Sequence, residues 1–163
     1  MSRSTVTTLV LSAAALVGIA LSEGYSDTSI IPIKGDVPTI GFGTTEGVKL
    51  GDKITPVKAL ERALSDVQKY EGAVKKCVKV PLYQYEYDAY INLAYNIGPG
   101  KDGVADGFCW RKRGGPSTLV RKLNAGDYEG ACKAILDWDK AKGRVVKGLS
   151  IRRQKEYKQC LGK

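Results

Sequence analysis

The chain has 163 residues, 26 lysines and arginines against 17 acidic residues for a formal charge of +9, four cysteines and no histidine. Charged (26%) and hydrophobic (43%) residues in these proportions exclude a disordered chain, and the length beyond the apolar start suits one domain. Without histidine there is no Ser-His-Asp or Cys-His catalysis, and without a C-x-x-C pair no zinc site is expected; hydrolytic chemistry has to rest on carboxylates, with no metal or cofactor.

Ser4 to Ser22 carries no charge. As a helix it would rise roughly 28 Å, about the hydrocarbon thickness of a bilayer. Thr7, Thr8, Ser12, Ala13, Ala14, Ala15, Gly18 and Ala20 dilute it, so insertion is marginal. Three fates compete: a signal peptide cleaved near Ala20-Leu21-Ser22, a permanent anchor, or an anchor that inserts and later leaves the bilayer. Glu23 decides in favour of the third, because cleavage after Ser22 would place a free ammonium on a carboxyl that needs a structured setting. The expected division is a leader, 1–22, and a domain, 23–163.

Between Tyr25 and Phe42 the chain is rich in Ile, Thr, Val and Pro, with Lys34-Gly35-Asp36 as turn chemistry, which predicts a small hairpin lobe. Pro32 and Pro38 confine its strands to edges or irregular pairing. Thr55 as cap and Pro56 at the first helical position open a long helix to about Lys76, with Val57, Leu60, Leu64 and Val67 on one face. Leu82, Tyr83, Tyr87, Tyr90, Ile91, Ala94 and Ile97 form a second apolar face, stopped by Gly98-Pro99-Gly100. Lys101 to Gly115 reads as a loop, with Trp110 a substrate platform or, preferably, a core plug. Further helices begin near Ser117, Asp127 and Ser150, the last two with those residues as caps. A β-hairpin lobe followed by a mainly helical bundle is an α+β architecture.

Cys77, Cys109, Cys132 and Cys160 in a chain with an export signal predict two disulfides, with three pairings open and buried free thiols as the alternative. The positive charge steers the protein toward polyanions. Its clusters at Lys75-Lys76, Arg111-Lys112-Arg113 and Arg152-Arg153 are small and accompany no zinc-finger or RRM signature, so anionic envelope polymers are expected and nucleic acid is not. For glycosidic cleavage the available groups are Glu23 at the start of the lobe, Asp36 on the hairpin turn and Thr39 on the returning strand.

The runs Glu23-Gly24, Pro38-Thr39-Ile40-Gly41-Phe42-Gly43, Ala94-Tyr95-Asn96-Ile97-Gly98, Ser117 through Asp127, Trp138 and Gly148-Leu149-Ser150-Ile151-Arg152-Arg153 occur in order over nearly everything after Ser22. Together they resemble the phage lysozymes of glycoside hydrolase family 24, and with the uncharged leader the signal-anchor-release endolysins of double-stranded DNA phages. The resemblance implies a lysozyme-like fold and hydrolysis of the β-1,4 bond between N-acetylmuramic acid and N-acetylglucosamine in peptidoglycan, with host lysis. It implies an inactive form in the host inner membrane, held through residues 4–22, and an active periplasmic form, expected to be a monomer.

On this likeness Glu23 matches the proton donor and Thr39 the threonine across the cleft. The family's middle residue, Asp or sometimes Cys, lies nine after the Glu and six before the Thr; here those counts fall on Pro32 and Ile33, one residue being inserted. Asp36 is taken as the third member, with Asp27 as fallback. Thr44 stands where family members often carry His. Asn96, Ser117 and Thr118 are expected near the saccharide, Asn96 having a helix cap as its other role. A secreted domain that holds peptidoglycan without cutting it is the competing expectation.

Overall fold

The computed structural model describes residues 2–32 and 35–163. They form two compact units, one from Ala13 to Lys69 and one from the stretch ending at Ser12 together with Tyr70–Lys163. Charge is divided unequally: Ala13–Lys69 holds six basic and seven acidic side chains, and the other unit holds the remaining 20 and 10.

The Ala13–Lys69 unit begins with helix α1, Ala13–Glu23, anchored by the fully buried Ile19. Strand β1, Ser26–Ile30, pairs antiparallel with β2, Thr39–Gly41, as the composition predicts. Ser26 stands opposite Gly41 and Ile30 opposite Thr39, so the register shifts between the two pairs. Pro32 and Pro38 fall outside the strands; Ile33 and Lys34, the latter part of the expected turn, lie outside the described residues. Helix α2, Pro56–Cys77, starts as expected, with Thr55 Oγ1 accepting the Lys58 N–H at 3.4 Å, and its last residues belong to the second unit.

In the folded chain the uncharged stretch holds a 3-10 turn at Val6–Thr8 and then α1, and no helix among the described residues is long and apolar enough to cross a membrane. One expectation about this part changes. Of the predicted apolar face of α2, Val67 is fully buried, but Val57 is 69% exposed and Leu60 and Leu64 are each 45% exposed. Those three line an open groove of about 720 Å³ with Leu16, Val17 and Leu21 of α1. The small residues of α1, Ala13 and Ala20 among them, leave that space unfilled.

The second unit is centred on α3, Gln84–Ile97, in which Tyr87, Ala89, Tyr90, Ile91, Leu93 and Ala94 are all buried. Apolar burial on every face marks the central helix of a core. It ends where predicted: Gly98, at φ +75°, donates its N–H to the Ala94 carbonyl, and Pro99 follows. Helix α4, Thr118–Asn124, is capped by Ser117, and α5, Tyr128–Lys133, by Asp127. A 3-10 turn, Ala134–Trp138, leads to a two-residue-stranded hairpin, β3 Lys140–Ala141 and β4 Arg144–Val145, which the sequence pattern does not foreshadow.

Helix α6, Lys147–Cys160, begins three residues before the expected Ser150. Ser150 sits inside the helix and donates its hydroxyl to Asp139 Oδ2 at 3.2 Å instead of capping. The open cysteine pairing resolves as Cys77–Cys109 and Cys132–Cys160, with Cα separations of 5.8 and 5.6 Å, which excludes the free-thiol alternative.

Candidate active site

Glu23 is the last residue of α1 and is half-buried. Gly24, at φ +73°, turns the chain from helix into β1. Across from it, Ile40 and Thr44 exchange both backbone hydrogen bonds, at 3.0 and 3.1 Å, and close the Gly41-Phe42-Gly43 turn that follows β2.

The two glycines of the Thr39-x-Gly41-x-Gly43 run have separate reasons to be glycine. Gly43 lies at φ +89°, and a Cβ there would sit 3.4 Å from Glu23 Oε2 and 3.6 Å from its Cγ. The carboxyl therefore lies against the bare backbone of the turn. Gly41 lies at φ +65°, where a Cβ would come within 2.9 Å of Ala59 Cβ on α2. Gly43 is required by its φ, with Glu23 at van der Waals distance, and Gly41 by its φ and by the closeness of the helix.

The turn is also tied from its far end. Thr44 is buried and donates its hydroxyl to Asp66 Oδ2 at 2.7 Å. Asp66 lies 3.5 Å from Lys69, which in turn pairs with Glu46. Thr44, in the position where family members often carry His, thus holds the turn to α2 through an uncharged donor. Tyr25 and Phe42 bring their rings to 5.3 Å, and Tyr25 donates to the Ile54 carbonyl at 2.9 Å.

Thr39 begins β2, half-buried, with its hydroxyl on the Val37 carbonyl at 3.2 Å. It lies two residues before Gly41, roughly 7 Å along the strand. Asp36 is exposed on the bend leading to Thr39. Asp27, the fallback, is exposed on β1, where it accepts the Thr28 hydroxyl at 3.1 Å. Pro32 is exposed and cannot ionise. Glu23, Asp36 and Thr39 therefore share one unit, and among them Glu23 is the one laid against Gly43.

In the second unit a groove of about 280 Å³ is lined by Asp106, Trp110, Arg111, Thr118, Asp137 and Trp138, among others. Trp110 is half-buried along this groove, so it is a wall and not the core plug preferred from the sequence. Ser117 is only 3% exposed: its hydroxyl donates to the Phe108 carbonyl and accepts the Val120 N–H at 3.1 Å. Its role is the cap, and Thr118 is the hydroxyl residue on the less buried side. Asn96 accepts from Arg153 Nη2 at 2.7 Å, and Arg153 is wholly buried beside Glu156 at 3.1 Å. The amide holds a core guanidinium instead of capping its helix. Asp106 and Asp137 escaped sequence reading because lone carboxylates carry no pattern; Trp138 stood in one of the family-like blocks.

Residues 20–156 match the family model described as phage lysozyme. The chain is 39% identical over 153 residues to the SAR-endolysin of Pseudomonas phage phiKMV, covering 91% of this chain and 87% of that protein. It is 38% identical over 139 residues to the endolysin of Salmonella phage P22, covering 82% of each. The structure of an endolysin from Escherichia coli O157:H7 phage FAHEc1 aligns with a TM-score of 0.76 at 33% identity over 94% of both chains. With its hairpin lobe, central buried helix and carboxylate site, the chain belongs to the phage lysozyme family, lysozyme-like in fold and a lysozyme-type glycoside hydrolase in activity. Within that class its function is that of a peptidoglycan-degrading endolysin.

Proposed function

We propose that this endolysin cleaves the β-1,4 bond between N-acetylmuramic acid and N-acetylglucosamine, with Glu23 as proton donor and Asp36 and Thr39 orienting the attacking water. The observation that carries this is the seating of Glu23: a half-buried carboxyl at a helix end, laid against Gly43 of a turn that Thr44 ties to α2. Glu23 gives its proton to the glycosidic oxygen as the bond to the anomeric carbon breaks. Water adds to that carbon from the opposite face, and its proton passes to the Asp36 carboxylate. Inversion follows if the two carboxyls stand roughly 6.5–9.5 Å apart with water between them.

Trp110 and Trp138 suit the apolar face of a pyranose ring, and Thr118, Asp106, Asp137 and Arg111 its hydroxyls and amides. Asn96 acts one step removed, through Arg153. Residues 4–22 lie in the host inner membrane before release and the released, full-length monomer works in the periplasm. The phiKMV relative's description as a SAR-endolysin supports this, as does the burial of Val6, Leu9 and Ile19 from the same stretch in the folded chain.

Loss of turbidity of purified sacculi tests the site. Glu23→Gln is expected to lose clearing by at least roughly 10²- to 10⁴-fold, the range for a general acid, with an unchanged melting temperature. Residual activity near wild type would remove Glu23 from the role. Asp36→Asn and Asp27→Asn, assayed side by side, identify the second carboxylate. Retention of the wild type on sacculi without clearing would establish the non-catalytic binding domain instead.

A further inference from the structure

Three carboxylates of the second unit, Glu71, Glu86 and Asp88, are buried. Buried charges require partners, and all three find partners within the first twelve residues. Arg3 grips Glu86 with two bonds, Nε to Oε2 at 3.1 Å and Nη2 to Oε1 at 2.8 Å. Its guanidinium lies 4.4 Å from the centre of the Tyr83 ring and 3.6 Å from that of Tyr128. Ser4 and Leu82 exchange both backbone hydrogen bonds at 2.8 Å.

Glu71 Oε1 accepts the Leu11 N–H at 2.8 Å and the Tyr87 hydroxyl at 2.7 Å. Burial, then Glu71 itself, pushes the Tyr87 phenol far up, so it remains a donor. Asp88 accepts the Ser12 N–H at 3.1 Å and the Ser12 hydroxyl at 2.7 Å. Gln84 bridges Asp88 and the Val10 carbonyl, each at 2.9 Å. Val6 and Leu9 are buried between these polar points. This is a built receptor, charge by charge, for the segment from Arg3 to Ser12.

We infer that this receptor is a latch for the released leader and that Arg3 changes sides of the membrane to close it. The inserted half of this inference rests on the release reading of the preceding section; the receptor in the folded chain does not. With residues 4–22 across a bilayer, Arg3 and Glu23 lie on opposite faces, roughly 28 Å apart. Glu86 lies on the Glu23 side. The forked pair cannot form, and Glu71 and Asp88 lack the backbone donors of Leu11 and Ser12, which then lie in the hydrocarbon. After release the same residues complete the unit.

Arg3 therefore acts in opposite directions on two quantities. As the charge that has to traverse the bilayer it slows exit, and as the partner of Glu86 it stabilises the released fold. A purely structural ion pair would affect only the second.

The test uses the full-length chain with Arg3→Ala, Glu86→Gln and the double variant. In urea unfolding of the purified soluble protein each single change is expected to raise the unfolding constant by roughly 10- to 100-fold, below the full effect of breaking a buried pair because Arg3 is partly exposed. The double variant is expected to lose no more than the worse single one, since the two groups share one interaction. Additive losses, or single losses under about twofold, overturn the latch. Arg3→Lys, which keeps the charge but not the fork, gives an intermediate loss and serves if the alanine variant does not fold. In cells, Arg3→Ala is expected to reach the soluble fraction sooner than wild type; equal or slower exit overturns the change of sides. A soluble species lacking 22 residues by intact mass would refute release itself, whereas additivity in the full-length chain refutes the latch alone.

Discussion

Gly43→Ala tests the seating of Glu23, the proposed proton donor, and Gly41→Ala, two residues away, is its control. Both positions have positive φ, so an alanine carries about 1–2 kcal/mol of left-handed strain at either. At Gly43 the new methyl meets the movable end of Glu23 at 3.4 Å; at Gly41 it meets Ala59 at 2.9 Å, where neither partner can turn away. Carbon atoms prefer 3.5–4.0 Å, so Gly41→Ala adds an overpacking cost of about 1–3 kcal/mol. At roughly 2–4 °C per kcal/mol for a chain of this size, Gly43→Ala should lower Tm by about 2–8 °C and Gly41→Ala by about 4–20 °C.

Activity should rank the other way. At residue 43 the methyl itself fits at van der Waals distance from Glu23, so the effect on the carboxyl comes from relaxation of the strained φ +89° turn on which it rests, and misplacement approaching an ångström costs on the order of tenfold to 10²-fold in rate. Thermal unfolding by circular dichroism, with sacculus clearing at 20 °C normalised to folded protein, reads both quantities. Full turnover in Gly43→Ala, with loss in Gly41→Ala tracking only its stability, would refute the assignment of Glu23 and Gly43 as the seat of the acid.

The disulfides span sequence separations of 32 and 28 residues, and loops of that size are worth about 3.6 kcal/mol each by the chain-entropy relation. Replacing Cys132 and Cys160 with serine should lower the denaturant midpoint accordingly, and an unchanged midpoint would contradict a structural role. Asp127, held below the usual carboxylate range by the Gly130 N–H and then by Lys122, contributes stability above the unfolded value near 3.9 that is lost as pH falls through its lower native value. Asp127→Asn keeps the capping oxygen but does not titrate, so the wild-type advantage at pH 6 should shrink between about pH 5 and pH 2. A constant difference over that window would exclude Asp127 as its source.

Features set by near neighbours were legible in the sequence. Thr55-Pro56, Gly98-Pro99, Ser117 and Asp127 mark helix ends through bonds spanning three or four residues, and the structure places them there. The absence of histidine directed the chemistry to carboxylates, and the ordered motif blocks identified the family. Ser150 misled because its hydroxyl has a second acceptor nearby, Asp139, which the helix start at Lys147 brings to it. The β3–β4 hairpin escaped because strands of two residues have no periodicity to read.

Only the tertiary structure could decide the rest, because the deciding partners lie far along the chain. Three cysteine pairings were equal until folding brought Cys77 to Cys109 and Cys132 to Cys160. On the proposed release, Ser4 to Ser22 has one composition and two solvents: in lipid its lack of charge would favour a single helix, whereas in the folded chain carboxylates 60 to 83 residues away hold an arm with a 3-10 turn ahead of α1. By itself the sequence determined that this stretch could enter a membrane only marginally. The buried acids that receive it are what tertiary structure added, because an unpaired buried carboxylate is costly and an arm carrying its donors removes that cost.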